Sequence, residues 1–327
     1  MKIRENILAL LQSEGDLSIK VLTDKLLVSK QAIHLAINKL VAEDKVEKLG
    51  RTPKTIYRLR LIPSSMASDY GEITLETASY LKENFLVITE IGKMLEGVNG
   101  FDYWCRQRKL PLLKTIDEYI TTKKKYEVYY NPKGIIDGKE KLLNTKAYKQ
   151  IFLDDLFYLD FYAIERFGKT RLGTLLHYAK QGQNKFLMKI LTDTTRQKIE
   201  SLIADKQFDA VGYIPPTIKR EVQLMKFIET QLRLNLPRIS ILKISGIIPV
   251  PQKSLNKIEE RISNAENTFA INETVKFDHI LLIDDAVGSG STLNQVAGKI
   301  KQKGIAKKIT GLAIVGSFKG FDVVTDV

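Results

Sequence analysis

A pattern suited to binding phosphate occupies residues 280–292. Four apolar residues, Ile280–Ile283, predict a buried strand, and Asp284 and Asp285 follow at its carboxyl end. The next residues open an amphipathic helical run and are mostly small or hydroxyl-bearing, namely Gly288, Ser289, Gly290, Ser291 and Thr292. Backbone N–H groups of such a loop close around a phosphate, and the positive end of the helix dipole adds attraction. The two carboxylates suit ribose hydroxyls or Mg²⁺ held through water.

The stretch from Ile280 to Thr292 resembles the phosphoribosyl pyrophosphate (PRPP) motif of type I phosphoribosyltransferases. Gly288 and Ser289 stand where that motif commonly has two threonines. The resemblance extends over about 155–315 and looks nearest to the ComF-like branch. It implies a parallel α/β domain that binds PRPP together with Mg²⁺.

Further segments carry the resemblance to the ComF-like branch. The residues 260–264, with Phe269 after them, are similar to its Glu-Arg-x-x-Asn and following phenylalanine. Lys180 lies where the branch has a lysine near its first core helix, and Lys243 and Gln252 fall in register. ComF relatives often begin with a cysteine zinc ribbon, which this chain lacks.

The resemblance assigns roles to individual residues. Residues 213–220 would form the pyrophosphate loop, in which Lys219 and Arg220 meet the diphosphate; the alternative is a basic helix start that faces solvent. Residues 245–270 would fold over PRPP, with Arg261 clamping pyrophosphate, unless it pairs with a neighbouring glutamate. Asp284, Asp285 and Arg261 are the expected catalytic residues, and catalysis in this class rests on positioning and electrostatics.

The first 61 residues predict three helices and a hairpin. An apolar stripe from Ile3 to Leu11 ends at Gly15, a second short helix covers Leu17–Leu27, and Ser29 is suited to cap a third. Residues 45–49 and 55–61 then predict two strands. This order is that of a winged helix-turn-helix, and the third helix resembles that of biotin-repressor-like regulators.

The third helix divides its residues as a DNA-reading helix requires. Its apolar residues occupy one face, and four polar residues take the other, namely Lys30, Gln31, His34 and Asn38. At the wing tip, Arg51 and Lys54 would contact backbone phosphates. DNA is the favoured partner, and docking to a protein is the alternative. The acidic residues Glu43, Asp44 and Glu47 are expected behind the reading face.

Three parts are predicted along the chain: a winged-helix domain at 1–62, a mainly helical segment at 69–150 and a phosphoribosyltransferase-type α/β domain at 151–327. Residues 62–68 predict the linker. The middle segment is expected to be a packing, hood or dimerisation module, with helices near 75–98 and 110–123 and a strand-turn-strand at 126–138. Strands at 210–214, 239–244, 279–283 and 309–315 predict a parallel sheet.

Composition narrows the classes of function. The net charge of +13 favours polyanionic partners, and the single cysteine, Cys105, excludes an intrachain disulfide and four-thiolate zinc sites. No protein-bound metal site is expected. Charged residues at the N-terminus and the absence of a long apolar run predict a cytoplasmic protein without a membrane span.

Three hypotheses for function follow. The first is a DNA-binding regulator whose phosphoribosyltransferase-type domain senses PRPP or a phosphoribosyl nucleotide. The second is an active phosphoribosyltransferase that acts on a base, a nucleotide or nucleic acid. The third is an effector or structural subunit of a retron-like defence complex. A homodimer or a larger assembly is compatible with each of them.

Overall fold

The chain folds as two units, Met1–Thr74 and Leu75–Val327. A computed structural model describes residues 2–43, 45–51, 54–59, 73–144, 148–216, 218–244 and 258–317. The predicted linker at 62–68 lies outside the described residues.

The N-terminal unit consists of three helices and a hairpin. The helices are α1 (Lys2–Glu14), α2 (Ile19–Leu26) and α3 (Lys30–Ala42), and the antiparallel strands are β1 (Val46–Arg51) and β2 (Lys54–Leu59). The Ser29 hydroxyl accepts a hydrogen bond from the Ala32 N–H at 3.3 Å, which confirms the predicted cap of α3. The second helix begins two residues later than predicted because Leu17 forms a β-bridge with Tyr57.

An apolar core holds these helices and strands together. Ile7 of α1, Leu22 of α2 and Ile33 and Ile37 of α3 are fully buried, and Tyr57 of β2 closes the cluster. Burying one such aliphatic side chain stabilises a fold by roughly 1.5–3 kcal/mol. Packing in this core holds α3, the helix with the exposed polar face, against α1 and α2.

A mixed five-stranded sheet organises the second unit, with the order β5-β6-β13-β12-β9. Four strands are parallel: β6 (Asp155–Phe161), β9 (Ala210–Tyr213), β12 (Phe277–Val287) and β13 (Ala306–Gly316). The short β5 (Ile136–Asp137) pairs antiparallel with β6. The predicted α/β sheet is present, and it is mixed because β5 joins it at one edge.

Helices cover both faces of the sheet. On one face, Leu281 and Leu312 pack in a core with α8 (Arg171–Gln181), α9 (Lys185–Lys206) and α10 (Leu224–Leu232). On the other face, Gly311 lies against Leu156 of β6 and Leu293 of α12 (Ser291–Gln302). Ligands of open α/β sheets bind at the carboxyl ends of the parallel strands, between these layers.

The segment before the sheet departs from its predicted elements. The helix expected at 75–98 is a shorter helix, α4 (Leu75–Asn84), followed by the hairpin of β3 (Leu86–Ile88) and β4 (Met94–Glu96) and by the start of α5 (Gly97–Gln107). The next helix, α6 (Leu112–Glu127), extends past the predicted end, and α7 (Lys139–Leu143) follows β5. The predicted strand-turn-strand at 126–138 is reduced to one bridge between Tyr130 and Ile136.

Aromatic packing explains why the α4 segment cannot continue as one helix. Phe85 directly follows α4 and stacks edge-on against Phe101 and Tyr119, with ring centroids 4.7 and 5.5 Å apart. Trp104 and Phe167 complete this cluster. Bringing α5 back over Phe85 requires the β3–β4 hairpin between the two helices.

The strand predicted at 239–244 does not join the main sheet. Within it, a shorter strand forms, β10 (Ile241–Lys243), which pairs antiparallel with β11 (Phe269–Ile271). The strand β11 follows α11 (Ile258–Thr268). An isolated bridge between Arg238 and Val211 connects the start of this stretch to β9. A second short pair, β7 (Ala163–Ile164) with β8 (Gly168–Lys169), leads into α8.

Candidate functional site

The acidic pair lies near the carboxyl end of β12, an inner strand of the sheet between β13 and β9. The strand was predicted to stop before Asp284, but it continues to Val287 because β13 pairs with it to the end, with Asp284 opposite Ala313. On its other side, Ile283 pairs with Tyr213 of β9. The two carboxylates are therefore fixed by strand geometry rather than by a loop.

Asp285 is tied to α8 by a buried ion pair. The Lys180 ammonium donates a hydrogen bond to its carboxylate, and the two side chains are 17% and 11% exposed. Breaking a buried pair by removing one partner typically costs about 3–5 kcal/mol, since the other charge is left without compensation. The resemblance placed Lys180 only where the branch has a lysine near its first core helix; the structure puts it in direct contact with Asp285.

The carboxyl group of Asp284 has a raised pKa. Burial, and after it the negative charge of Asp285, raise the pKa of Asp284 from 3.8 to about 7, while Lys180 and the Asp285 N–H act in the opposite direction. The N–H of Asp285 donates to the Asp284 carboxylate at 2.8 Å. Around neutral pH this carboxyl is ready either to hold a proton or to accept one.

The loop after β12 makes a tight turn into α12. Gly290 caps the helix with φ +85°, a conformation that favours glycine, and a Cβ there would lie 2.6 Å from Leu142 of α7. The Ser289 hydroxyl lies 3.2 Å from the Ser291 hydroxyl, and both residues are buried. Gly288 and Thr292 are only partly buried.

Side chains from outside the motif fix this loop. The Tyr148 hydroxyl donates to the Ser289 carbonyl at 2.8 Å, and Leu142 lies over Gly290. Asn294, fully buried in α12, accepts from the Phe152 N–H at 2.7 Å. None of these residues was singled out from the sequence, since Leu142, Tyr148 and Phe152 are distant from the loop along the chain and Asn294, two residues after it, belongs to no phosphate-binding pattern.

The segment predicted as a pyrophosphate loop begins beside the acidic pair. The Ile214 N–H donates to the Ile283 carbonyl at 2.9 Å, just before Asp284. The Arg220 guanidinium donates to Gln181 at 3.0 Å, and Gln181 directly follows Lys180. Lys219 is exposed. The structure therefore brings the end of this segment to the same end of α8 that contacts Asp285.

Other predicted site residues are not brought into contact with this site by any described interaction. Lys243 lies on β10, in the separate two-stranded sheet. Arg261 belongs to α11, but its side chain is outside the described part of the structure, as are Gln252 and the rest of 245–257. Residues 258–268 form a helix, so this part of the predicted covering loop is regular.

A second candidate site is the exposed face of α3. Lys30, Gln31, His34 and Asn38 are all exposed, as expected for a face that contacts DNA. Leu35 is an exception to the prediction that the apolar residues of α3 share one face, since it is 64% exposed. Residues three and four apart share a helix face, so Leu35 lies between Gln31 and Asn38 on the polar side.

The positions of the hairpin tip and of Glu43 are consistent with a polar face of α3 that is open to DNA. Arg51 and Lys54 are opposite each other at the hairpin tip, although their side chains are outside the described atoms. Glu43 pairs with Arg4 of α1 and with Lys45, at 2.5 and 2.9 Å, so its charge is compensated within the unit. Asp44 lies outside the described residues.

Residues 2–47 match the model of the winged helix-turn-helix DNA-binding family. The match covers α1 to α3 and the start of β1, so the N-terminal unit is a winged helix-turn-helix domain of the DNA-binding type. A search of curated proteins gives no match to the chain.

Two further properties concern metals and membranes. Within the described ranges, no group of three or more histidine, cysteine, aspartate or glutamate side chains converges to hold a metal ion. No helix in the described part of the chain is long and apolar enough to span a membrane.

Proposed function

We propose that this chain is a winged-helix DNA-binding regulator whose second unit binds PRPP or a 5′-phosphoribosyl nucleotide. The observation that carries the proposal is the order strand, acidic pair, Gly/Ser loop and helix at the carboxyl edge of a parallel sheet. Sheets of this kind bind ligands at that edge, and helix N-termini attract phosphate. The resemblance of 280–292 to a PRPP motif points to the same ligand.

In this proposal the two carboxylates of the acidic pair have different roles. Asp285 keeps Lys180 in place, and Asp284 is the carboxylate available to the ribose hydroxyls. Mg²⁺ would be held mainly by the diphosphate oxygens of the ligand, since Asp284 is the one carboxylate at this loop that Lys180 does not hold by an ion pair. Arg220, at the end of α8, is suited to meet the diphosphate charge.

DNA recognition falls to α3 and the hairpin. The polar side chains of α3 would reach base edges in the major groove, and the hairpin tip would contact phosphates. Leu35 adds an apolar contact at the centre of this face. An exposed leucine there suits the C5-methyl group of thymine, which is the apolar feature of the major groove.

The experiment is calorimetry of the full chain with PRPP and Mg²⁺. Asp284→Asn combined with Asp285→Asn removes charged acceptors, and Thr292→Val removes one hydroxyl while keeping the shape of the side chain. Each change should weaken binding by about 1 kcal/mol or more per lost charged hydrogen bond. An absence of binding heat and of thermal stabilisation in the wild-type chain would refute the ligand site.

Turnover distinguishes a sensor from an enzyme that shares the same site. The measurement is pyrophosphate release from PRPP with a panel of bases and nucleotides. Binding without release supports the sensor. Release that depends on Asp284 would make the second unit a phosphoribosyltransferase instead.

A further inference from the structure

Two glutamines at the C-terminal end of α8 hold the turn at 218–222. The side-chain oxygen of Gln181 accepts a hydrogen bond from the Arg220 guanidinium at 3.0 Å. The side-chain oxygen of Gln183 accepts one from the Val222 N–H at 2.9 Å. The turn is therefore fixed against the end of α8, although 39 positions separate each glutamine from its partner.

The backbone around Arg220 is held as well. The Gln223 amide donates a hydrogen bond to the Arg220 carbonyl at 2.9 Å. Gln183 has φ +48°, a left-handed conformation that is unfavourable for residues other than glycine. The chain adopts it two residues after the end of α8, at the residue that binds the Val222 N–H. Contacts with the helix and within the turn thus keep Arg220 in one place.

The Arg220 guanidinium is held without a compensating carboxylate. Among the side chains that the structure describes, no carboxylate forms an ion pair with it, and its partner is the neutral amide of Gln181. Lys219 and Glu221, its neighbours along the chain, are both exposed and opposite in charge. A guanidinium has five N–H donors, so donors remain for a ligand. A neutral acceptor orients this group without cancelling its charge, whereas a carboxylate does both.

One turn of α8 contacts both the acidic pair and the turn at 218–222. Consecutive helix residues point about 100° apart, and here Lys180 contacts Asp285 while Gln181 contacts Arg220. The carboxylates and the guanidinium are thus attached to the same helix. This arrangement suits a ligand that has a ribose and a diphosphate, because ribose hydroxyls need acceptors and a diphosphate needs donors.

We propose that Gln181 is a positioning residue that orients the Arg220 guanidinium for the diphosphate of the ligand. The site then selects a ribose that carries a 1-diphosphate over one that does not. This inference rests on the proposed PRPP site. A guanidinium that is already oriented loses less conformational freedom on binding, and its planar fork matches phosphate oxygens in one orientation. Ribose 5-phosphate lacks the diphosphate, so Gln181 should matter little for its binding.

Titration calorimetry of the full chain with PRPP and Mg²⁺, and separately with ribose 5-phosphate, tests this role. In Gln181→Glu the new carboxylate still accepts the hydrogen bond but cancels the charge of Arg220. We expect PRPP affinity to fall about ten-fold or more, and ribose 5-phosphate affinity to change much less. Gln181→Ala removes the hydrogen bond without adding charge and should weaken PRPP binding by a smaller factor. The control Gln231→Glu adds the same charge at an exposed position of α10 and should leave both affinities unchanged.

Arg220→Gln shows whether Gln181 acts through the guanidinium. In this background Gln181→Glu should cause little further loss of PRPP affinity. The inference is overturned if Gln181→Glu binds PRPP as tightly as the wild type, as a contact that only stabilises the end of α8 predicts. It is also overturned if both ligands are weakened equally, or if the loss persists without Arg220. A wild-type chain that binds no PRPP contradicts the proposed function itself, which distinguishes the two failures.

Discussion

Replacing Asp284 with asparagine should make the second unit more stable at neutral and alkaline pH. Burial and Asp285 raise the pKa of Asp284 from 3.8 to about 7, so the folded chain binds this proton more tightly than the unfolded chain does. Such a group stabilises the fold fully below its unfolded pKa, and the contribution is lost as the pH rises from about 4 through about 7. Asparagine carries no charge and can still accept the hydrogen bond from the Asp285 N–H.

The size of the effect follows from the same pKa. A rise from 3.8 to about 7 corresponds to about 4 kcal/mol at 1.36 kcal/mol per pH unit, which is the most that ionisation of Asp284 can remove. The free energy of unfolding of Asp284→Asn should therefore exceed that of the wild type by up to about 4 kcal/mol at about pH 8. Near pH 4 the two proteins should be almost equally stable.

Urea unfolding followed by tryptophan fluorescence measures this directly. The chain has a single tryptophan, and Trp104 is buried in the second unit, so the signal reports that unit. Asp278→Asn is the matched control, because it removes the same charge from the exposed start of β12. An Asp284→Asn protein that loses stability between about pH 4 and about pH 8 as steeply as the wild type would refute the reasoning.

Three predictions concern DNA. Leu35→Ala should lower affinity for duplexes selected from a random library, and replacing their thymines with uracil should have less effect on this variant than on the wild type. Arg51→Ala with Lys54→Ala should make the slope of log affinity against log salt less steep by about one to two units. An unchanged slope would show that the hairpin does not contact DNA phosphates. Saturating PRPP should change DNA affinity about five-fold or more, a coupling of at least ~1 kcal/mol, and DNA should change PRPP affinity by the same factor; equal affinities in both titrations would contradict a sensor.

Local signals in the sequence were sufficient to predict the helices and strands of the N-terminal unit. Ser29 caps α3, and the buried positions of that helix follow the apolar period. The exception among its apolar residues is Leu35, which is exposed. It lies outside the apolar period and shares the face of Gln31 and Asn38, so its exposure could have been predicted from the helical spacing. The wing strands were also predicted, since a hairpin forms between residues that are close along the chain.

Some features of the second unit could not be predicted because they depend on contacts between residues that are far apart along the chain. The strand β6 was not predicted because Asp155 and Asp160 interrupt its apolar run. Their carboxylates have partners that are distant along the chain: Lys308 lies 3.2 Å from Asp155, and the Tyr130 hydroxyl donates a hydrogen bond to Asp160. The ion pair between Lys180 and Asp285 joins residues 105 positions apart, so no spacing rule could have found it. The loop at 288–292 was recognisable because it is continuous in sequence.

The position of β13 has a consequence for how this protein is made. Strands β6 and β12 do not pair with each other; each pairs with β13, which lies between them. Ile309 and Asp154, which are hydrogen-bonded at this junction, are 155 positions apart. During synthesis the winged helix can fold as soon as it emerges from the ribosome, because its contacts are local. The sheet, in contrast, has two unpaired edges until residues 306–316 have emerged, and a nascent chain that stalls before that point exposes both edges to aggregation.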